Sequence, residues 1–91
     1  MEIKWSPSSL DRLEEIGNFI AKDSITHAIA FVDTLIESVE QLKEFPLSGS
    51  LVQENPAFRQ IVVQGYRIIY RQKEKSIEIV TVISPGLNQK L

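Results

Sequence analysis

The sequence predicts an α+β fold, ordered β-α-α-β-β-β, in which a helical hairpin packs on one face of a mostly antiparallel sheet. Two observations predict it. Before Phe45 and Pro46 the apolar residues recur at helical spacing, whereas after them β-branched and aromatic residues form short runs separated by turns. The 91 residues, of which 43 % are hydrophobic, suit a single domain over residues 1–91 with a modest core.

The first strand and the first helix are predicted from residues 2–22. Apolar and charged residues alternate over residues 2–6, which is typical of a half-buried strand. Helix 1 is expected over residues 8–22, with Ser8 and Asp11 spaced as a capping box. Its apolar stripe covers an arc of about 120°. That stripe consists of Leu10, Leu13, Ile16, Gly17 and Ile20.

Helix 2 is predicted over residues 25–44, after a cap at Asp23 and Ser24. Its apolar arc of about 160° is wide enough to contact both helix 1 and the sheet. Phe19 lies about 60° outside the stripe of helix 1. We expect Phe19, with Ile29 and Ile36 of helix 2, to form an interface with a partner or a second copy. The alternative is that Phe19 is covered by a neighbouring loop.

Three strands are predicted in the second half, after a turn-rich connection over residues 46–56. They span residues 58–63, 66–72 and 76–83, and the short connections at 64–65 and 73–75 make them antiparallel hairpins. Residues 84–91 are expected to form an irregular tail.

Composition excludes several classes of function. The chain has no cysteine, no apolar leader and no run long enough for a membrane span, which favours a cytoplasmic protein. The single histidine, His27, has no metal-ligand spacing around it, and no catalytic triad or glycine-rich phosphate loop is present. We therefore expect no metal and no cofactor.

The basic residues are concentrated in the second half. Residues 1–50 carry four Lys/Arg against nine Asp/Glu, whereas residues 51–91 carry six against three. Strand alternation places Arg67 and Arg71 on one face of the middle strand, and Tyr66 and Tyr70 on the face that the helices cover. Arginines can bind phosphate through bidentate hydrogen bonds, but exposed arginines also serve solubility alone. The five candidates are Arg59, Arg67, Arg71, Lys73 and Lys75.

Cooperation between Arg59 and Arg67 depends on the loop between their strands. A strict two-residue turn at Gln64 and Gly65 puts the two arginines on opposite faces. We predict a register shifted by one residue, because otherwise Arg59 is a charge on the apolar face. In the opposing interpretation Arg67 simply pairs with a carboxylate such as Glu78.

The ordered set of elements resembles the RelE/ParE family of toxins from residue 2 to about residue 84. The resemblance rests on the Ser9–Ile16 stretch, Ala28 and Phe31 in helix 2, the 42–47 turn, the Tyr-Arg-Ile-Ile-Tyr strand after an arginine-containing strand, and the 77–83 run. It implies the toxin of a type II toxin–antitoxin system, linked to plasmid stabilisation and neutralised by a cognate antitoxin. One branch of the family cleaves messenger RNA in the ribosomal A site, and another poisons DNA gyrase.

Site residues follow from the resemblance position by position. Arg67 matches the family's strand arginine, and Arg59 matches the first of two basic residues in the preceding strand. The second falls near Ile61, which is apolar, and beyond Ile83 no arginine, histidine or tyrosine follows. We predict Arg67 and Arg59 as catalytic, with nucleic-acid or target contacts from Arg71, Lys73 and Lys75.

These departures favour a ParE-like toxin acting on gyrase or translation. An A-site ribonuclease remains open as an alternative, as does an inactive homologue that binds only its antitoxin. The antitoxin is expected on Phe19, Ile29 and Ile36, and a homodimer is also open.

Overall fold

The computed structural model describes residues 1–86 and confirms the predicted fold class. The elements are β1 (Glu2–Trp5), α1 (Pro7–Ala21), α2 (Ile25–Glu40) followed by a 3-10 turn (Gln41–Lys43), β2 (Ser50–Leu51), β3 (Arg59–Val63), β4 (Tyr66–Gln72) and β5 (Ser76–Ile83). The sheet order is β1-β5-β4-β3-β2; β1 and β5 are parallel and the other pairs antiparallel. The two-residue strand β2 was not predicted. Of the predicted tail, residues 84–86 lie outside helix and strand, and 87–91 lie outside the described residues.

The cap of α1 is Ser6, so the predicted capping box at Ser8 and Asp11 is wrong. The Ser6 hydroxyl accepts a hydrogen bond from the Ser9 backbone N–H at 3.0 Å and donates one to the Val80 carbonyl at 2.8 Å. Pro7 then occupies the first helical position, where its fixed φ fits. One side chain therefore ends β1, begins α1 and joins both to β5.

The end of α2 differs from the prediction. The cap at Ser24 is confirmed, since its hydroxyl accepts from the His27 backbone N–H at 3.1 Å. The α-helix stops at Glu40 rather than at residue 44, because the chain tightens into the 3-10 turn that buries Leu42 completely. The helices approach closely at Gly17, where an added Cβ would lie 3.4 Å from Val32.

The main core lies between the helical hairpin and the sheet. It contains Leu13, Ile16, Leu35, Val39, Leu42, Ile68, Tyr70, Ile77, Ile79 and Val82. Leu10 was predicted in this stripe but is 52 % exposed. The buried side of α1 includes Ser9 in place of Leu10. The Ser9 hydroxyl donates a hydrogen bond to the Ser6 carbonyl at 2.7 Å. Within residues 1–86 no helix is long and apolar enough to cross a membrane.

A β-bulge in the β4–β5 pair sets which side chains of β5 face the helices. The register steps from Ile69↔Thr81 to Tyr70↔Ile79 and leaves Val80 unpaired. Ile79 therefore joins the core, while Glu78 lies opposite Arg71 on the outer face. The bulged Val80 carbonyl is the acceptor for the Ser6 hydroxyl.

Candidate functional site

The outer face of the sheet carries Arg67, Ile69 and Arg71, as strand alternation predicted. Ile69 is fully buried there in a second, smaller cluster. Its other members are Val52, Ile83, Phe58 and Val80. Val52 and Phe58 belong to the β2–β3 connection, so that connection folds over the outer face. The two arginines border a small apolar cluster rather than an open groove.

Arg67 is held by two side chains on this face. Its Nε donates to Gln60 Oε1 at 2.7 Å, and its Nη2 lies 3.1 Å from Glu54 Oε2. The carboxylate that pairs with it is therefore Glu54 of the β2–β3 connection, not Glu78. Both side chains of the pair are partly buried, at 26 % and 31 % exposure. Two of the five N–H groups of the Arg67 guanidinium are therefore engaged within the protein itself.

Arg71 and Lys73 share one carboxylate, that of Glu78. Arg71 Nε lies 2.7 Å from one of its oxygens and Lys73 Nζ lies 3.4 Å from the other. The hydrogen bond from Arg71, with the Arg71 and Lys73 charges, holds the pKa of Glu78 below its ordinary value of 4.5. Lys75 is exposed in the β4–β5 turn. The contact role of these basic residues stays a prediction.

Arg59 lies on the face opposite Arg67, so the predicted register shift is wrong. Val63 pairs with Tyr66 and Arg59 with Tyr70, without distortion. The reason is the two-residue turn at Gln64 and Gly65, which both take positive φ angles, 50° and 85°. Such turns match the twist of a hairpin and need no extra residue.

The charge of Arg59 on the helix side is satisfied by main-chain oxygens. Its Nη1 donates to the Gly49 carbonyl at 2.8 Å and to the Leu47 carbonyl at 3.3 Å. Both acceptors lie in the connection before β2. Arg59 therefore fixes this connection, a role that the sequence argument missed.

Tyr70 fixes the same connection from inside the core. It is fully buried, its hydroxyl donates to the Pro46 carbonyl at 2.9 Å, and it accepts from the Gly49 N–H at 2.9 Å. Burial raises the pKa of Tyr70 above 10.0, against the opposing effects of the Gly49 hydrogen bond and the Arg59 charge. A Cβ at Gly49 would lie 2.5 Å from the Tyr70 hydroxyl, so only glycine fits. The Ser-Gly-Ser triplet was the available sequence signal for this close approach.

The predicted partner residues of the helical hairpin are exposed. Phe19, Ile29 and Ile36 have exposures of 70 %, 60 % and 37 %, and Phe19 is not covered by a loop. The Lys22 ammonium lies 5.8 Å from the centre of the Phe19 ring. Ile29 also lines a groove of about 400 Å³ between α1 and α2. The groove has an apolar lining of Leu13, Gly17, Ala21, Ile25, Ala28 and Val32, with Glu14, Asn18 and Asp33.

A helical hairpin on a five-stranded sheet of this order is the architecture of RelE/ParE-type toxins. The chain resembles a solved structure of the chromosomal ParDE toxin–antitoxin system from P. aeruginosa with a TM-score of 0.83 and 20 % identity, over 94 % of this chain and 97 % of that one. The family model of the ParE toxin of the type II toxin–antitoxin system parDE matches residues 3–85. The candidate toxin Y4kP of Sinorhizobium fredii is 31 % identical over 81 residues, 89 % of this chain and 84 % of that protein. This chain belongs to the ParE toxin family.

Membership makes the chain the toxin component of a type II system and implies an antitoxin partner. The catalytic assignment of Arg67 and Arg59 stays a prediction, although the structure separates them on two faces of one hairpin.

Proposed function

We propose that this toxin arrests growth by binding DNA gyrase and not by cleaving messenger RNA. The chain belongs to the ParE toxin family, and gyrase is the target that the resemblance implies for the gyrase-poisoning branch. The observation that carries the choice between the two activities is the register of β3 and β4, which separates Arg59 from Arg67.

Cleavage of RNA through its 2′-hydroxyl needs a base, an acid and a charge that stabilises the transition state. A guanidinium can supply only the charge, because it does not give up its proton in proteins. Within residues 1–86, Tyr70 is sealed in the core and Arg59 is bound to carbonyls. Arg67 is bound to Glu54 and Gln60. This arrangement supports a toxin that works by binding.

The proposal is tested by pulsed expression of the toxin, with plasmid supercoiling and messenger integrity measured in the arrested cells. Purified toxin is assayed in parallel against gyrase. We expect loss of supercoiling with intact messenger. Ribosome-dependent cleavage with normal supercoiling would contradict the proposal, and no growth arrest at all would leave a protein that only binds its antitoxin.

Arg67→Ala sharpens this test. A cleaving enzyme that uses Arg67 loses activity at least tenfold without it, whereas we expect a gyrase-binding toxin to keep its toxicity. Stability is expected to change little, since partly exposed ion pairs contribute about 0–1 kcal/mol. Toxicities are compared at matched soluble levels.

The antitoxin is proposed to occupy the groove between α1 and α2, with Phe19 and Ile36 beside it. The apolar floor fits the apolar side of an amphipathic segment. Glu14 and Asp33 line the same groove, and residues 1–50 carry excess negative charge, so basic side chains on that segment are complementary.

Phe19→Asp tests this placement. Because Phe19 is exposed, folding should be unaffected, while antitoxin affinity is expected to fall at least tenfold. Val62→Asp, at 58 % exposure on the outer face, is the matched control. Equal affinity of Phe19→Asp and the control would refute the placement.

A further inference from the structure

The groove between α1 and α2 has two different ends. The helices approach closely at Gly17, where an added Cβ would lie 3.4 Å from Val32. Because α1 and α2 form an antiparallel hairpin, Glu14 and Asp33 both lie on the side of this contact that faces away from the α1–α2 turn. Nearer the turn than Asn18, the lining is apolar and consists of Ala21, Ile25, Ala28 and Ile29. The groove therefore has an acidic end and an apolar end.

We propose that the groove binds a basic amphipathic helix of the antitoxin in a single orientation, with the basic side chains of that helix at the Glu14 and Asp33 end. Glu14 and Asp33 are then specificity-determining residues, because they select antitoxins that carry a cation at this position. The inference rests on the antitoxin placement proposed above and does not depend on the cellular target of the toxin.

The charge of the two helices is the reason for a basic occupant. Helices α1 and α2 carry six carboxylates and one arginine. Two of the carboxylates form ion pairs, Glu15 with Arg12 and Glu40 with Lys43. The other four form no ion pair with residues 1–86, and they are Asp11, Glu14, Asp33 and Glu37. A cationic segment is complementary to this surface, whereas a second copy of the hairpin would bring like charges together.

The dimensions of the groove suit a short helix. Its volume is about 400 Å³, and its lining on α1 extends from Leu13 to Ala21. These eight steps correspond to about 12 Å along a helix axis, which is about two turns. A bound helix of that length presents apolar side chains at positions i, i+3 or i+4, and i+7. A basic residue at one end of the same face then reaches the acidic end of the groove.

Glu14 and Asp33 are exposed, so they act mainly on the rate of association and on the choice of partner. Opposite charges steer two proteins together, and the gain in association rate falls as the salt concentration rises. At about 0.15 M salt the Debye length is about 8 Å. Thr26, near the α1–α2 turn, precedes Asp33 by seven residues, or about 11 Å along α2. A charge at Thr26 therefore acts only weakly at the acidic end.

The double variant Glu14→Gln/Asp33→Asn tests the role of the carboxylates, since it removes both charges with little change in shape. Association and dissociation rates with the purified antitoxin are measured at about 0.15 M and about 0.5 M salt, above and below the screening distance of the pair. We expect association to be at least tenfold slower than in wild type at the lower salt concentration, and less than threefold slower at the higher one. Glu2→Gln/Glu74→Gln, with the same charge change away from the groove, should stay within twofold of wild type.

Thr26→Lys tests the orientation. Thr26 is exposed and lies about two turns from Asp33 on the same side of α2. Thr26→Lys changes the net charge by the same amount as Asp33→Asn. We expect Asp33→Asn to slow association at least threefold at the lower salt concentration, and Thr26→Lys to stay within 1.5-fold of wild type. Thermal unfolding should be unchanged in all these variants, because the substituted side chains are exposed.

Equal slowing by Thr26→Lys and Asp33→Asn would overturn the orientation. Association of Glu14→Gln/Asp33→Asn at the rate of the Glu2→Gln/Glu74→Gln control would overturn the role of the two carboxylates, as would a slowing that is the same at both salt concentrations. Phe19→Asp separates this inference from the placement on which it rests. If Phe19→Asp weakens antitoxin binding and the charge variants do not, only this inference fails. If Phe19→Asp binds like wild type, both fail.

Discussion

Arg59 and Arg67 lie on neighbouring strands of one hairpin, and the two faces of the sheet satisfy their charges in different ways. On the helix side Arg59 donates to two main-chain carbonyls, those of Leu47 and Gly49, in the connection before β2. On the outer side Arg67 bonds the side chains of Gln60 and Glu54. A main-chain acceptor fixes the path of the chain, whereas a side-chain acceptor fixes only a rotamer.

The contrast indicates which residues the fold depends on. On the helix side, the polar contacts are continuous with the hydrophobic core. Tyr70 is fully buried in that core, and its hydroxyl accepts a hydrogen bond from Gly49 in the connection before β2, which Arg59 also contacts. On the outer side the ion pairs are partly exposed and screened by solvent. We expect large effects from substitutions on the first face and small ones on the second.

The largest effect is expected for Gly49→Ala. The new Cβ would lie 2.5 Å from the Tyr70 hydroxyl and 2.6 Å from the Gln60 carbonyl, so the connection must move away from its hydrogen bonds. The free energy of unfolding should fall by about 3 kcal/mol, the upper end for overpacking. Urea denaturation measures it.

Gly17→Ala is the matched control for this prediction. Its Cβ would meet Val32 at 3.4 Å, an ordinary contact, and alanine is favoured over glycine in a helix by about 1 kcal/mol. We expect little loss or a small gain in stability. Equal destabilisation by both substitutions would show that the helix side is not specially constrained at Gly49.

Tyr70→Phe should have an intermediate effect. The ring remains packed, but the Gly49 N–H and the Pro46 carbonyl lose their partner, at a cost of about 2 kcal/mol. Tyr66→Phe is the control, because within residues 1–86 the Tyr66 hydroxyl makes no hydrogen bond and its ring packs on Phe31 at 4.9 Å. A Tyr70→Phe variant as stable as this control would contradict the prediction.

Tyr70 should also make the folded protein less stable at alkaline pH. Burial raises the pKa of folded Tyr70 above 10.0, the value for an unfolded tyrosine. The folded state therefore holds the Tyr70 proton more tightly than the unfolded state does. The stabilisation of the folded state by the protonated hydroxyl is fully present below pH 10 and is lost as the pH rises through the folded pKa. Thermal unfolding between pH 9 and 11 should show a steeper loss in wild type than in Tyr70→Phe.

The smallest effect is expected on the outer face, for Glu78→Gln. The pKa of Glu78 is lowered from 4.5, so its stabilising contribution is present above pH 4.5 and is lost as the pH falls through the lower folded value. At neutral pH the substitution should cost less than about 1 kcal/mol, since its partners are half exposed.

Glu74→Gln controls for the loss of one carboxylate, because Glu74 forms no ion pair with residues 1–86. Stability is followed from pH 7 to pH 3. If stability depends on acid pH in the same way in Glu78→Gln and in wild type, the contacts of Glu78 with Arg71 and Lys73 contribute nothing to stability. The difference in stability contribution between the polar contacts of the two sheet faces would then be larger than proposed.

The sequence predicted the fold for two reasons. The apolar residues recur at helical spacing in the first half and alternate in the second, and turn residues mark the ends of β4 and β5. It did not predict β2, since two residues carry no periodicity, nor the bulge at Val80. Strict alternation through Ile77 and Ile79 leads to Thr81 on the helix side, whereas the bulge places Val82 there instead.

Prediction of the site was limited in a different way. The exposure of Phe19 followed from its helical angle, whereas Ile29 and Ile36 were assigned to the apolar arc of helix 2, which was expected to contact helix 1 and the sheet, and their exposure did not follow from that pattern. The register of Arg59 was predicted wrongly because a charge on an apolar face was taken as excluded. The carbonyls of Leu47 and Gly49 that accept its hydrogen bonds are 10 to 12 residues away in the chain, where no side-chain pattern reveals them.

The parallel pairing of β1 with β5 bears on the order in which the protein forms. β1 is the first strand to leave the ribosome, yet its sheet partner ends at Ile83, with Glu2 opposite Ser76. Contacts between such distant residues form late and slowly. The sheet therefore stays incomplete until β5 has been synthesised, so the helical hairpin is present on the chain before the strand that joins β1 to the rest of the sheet.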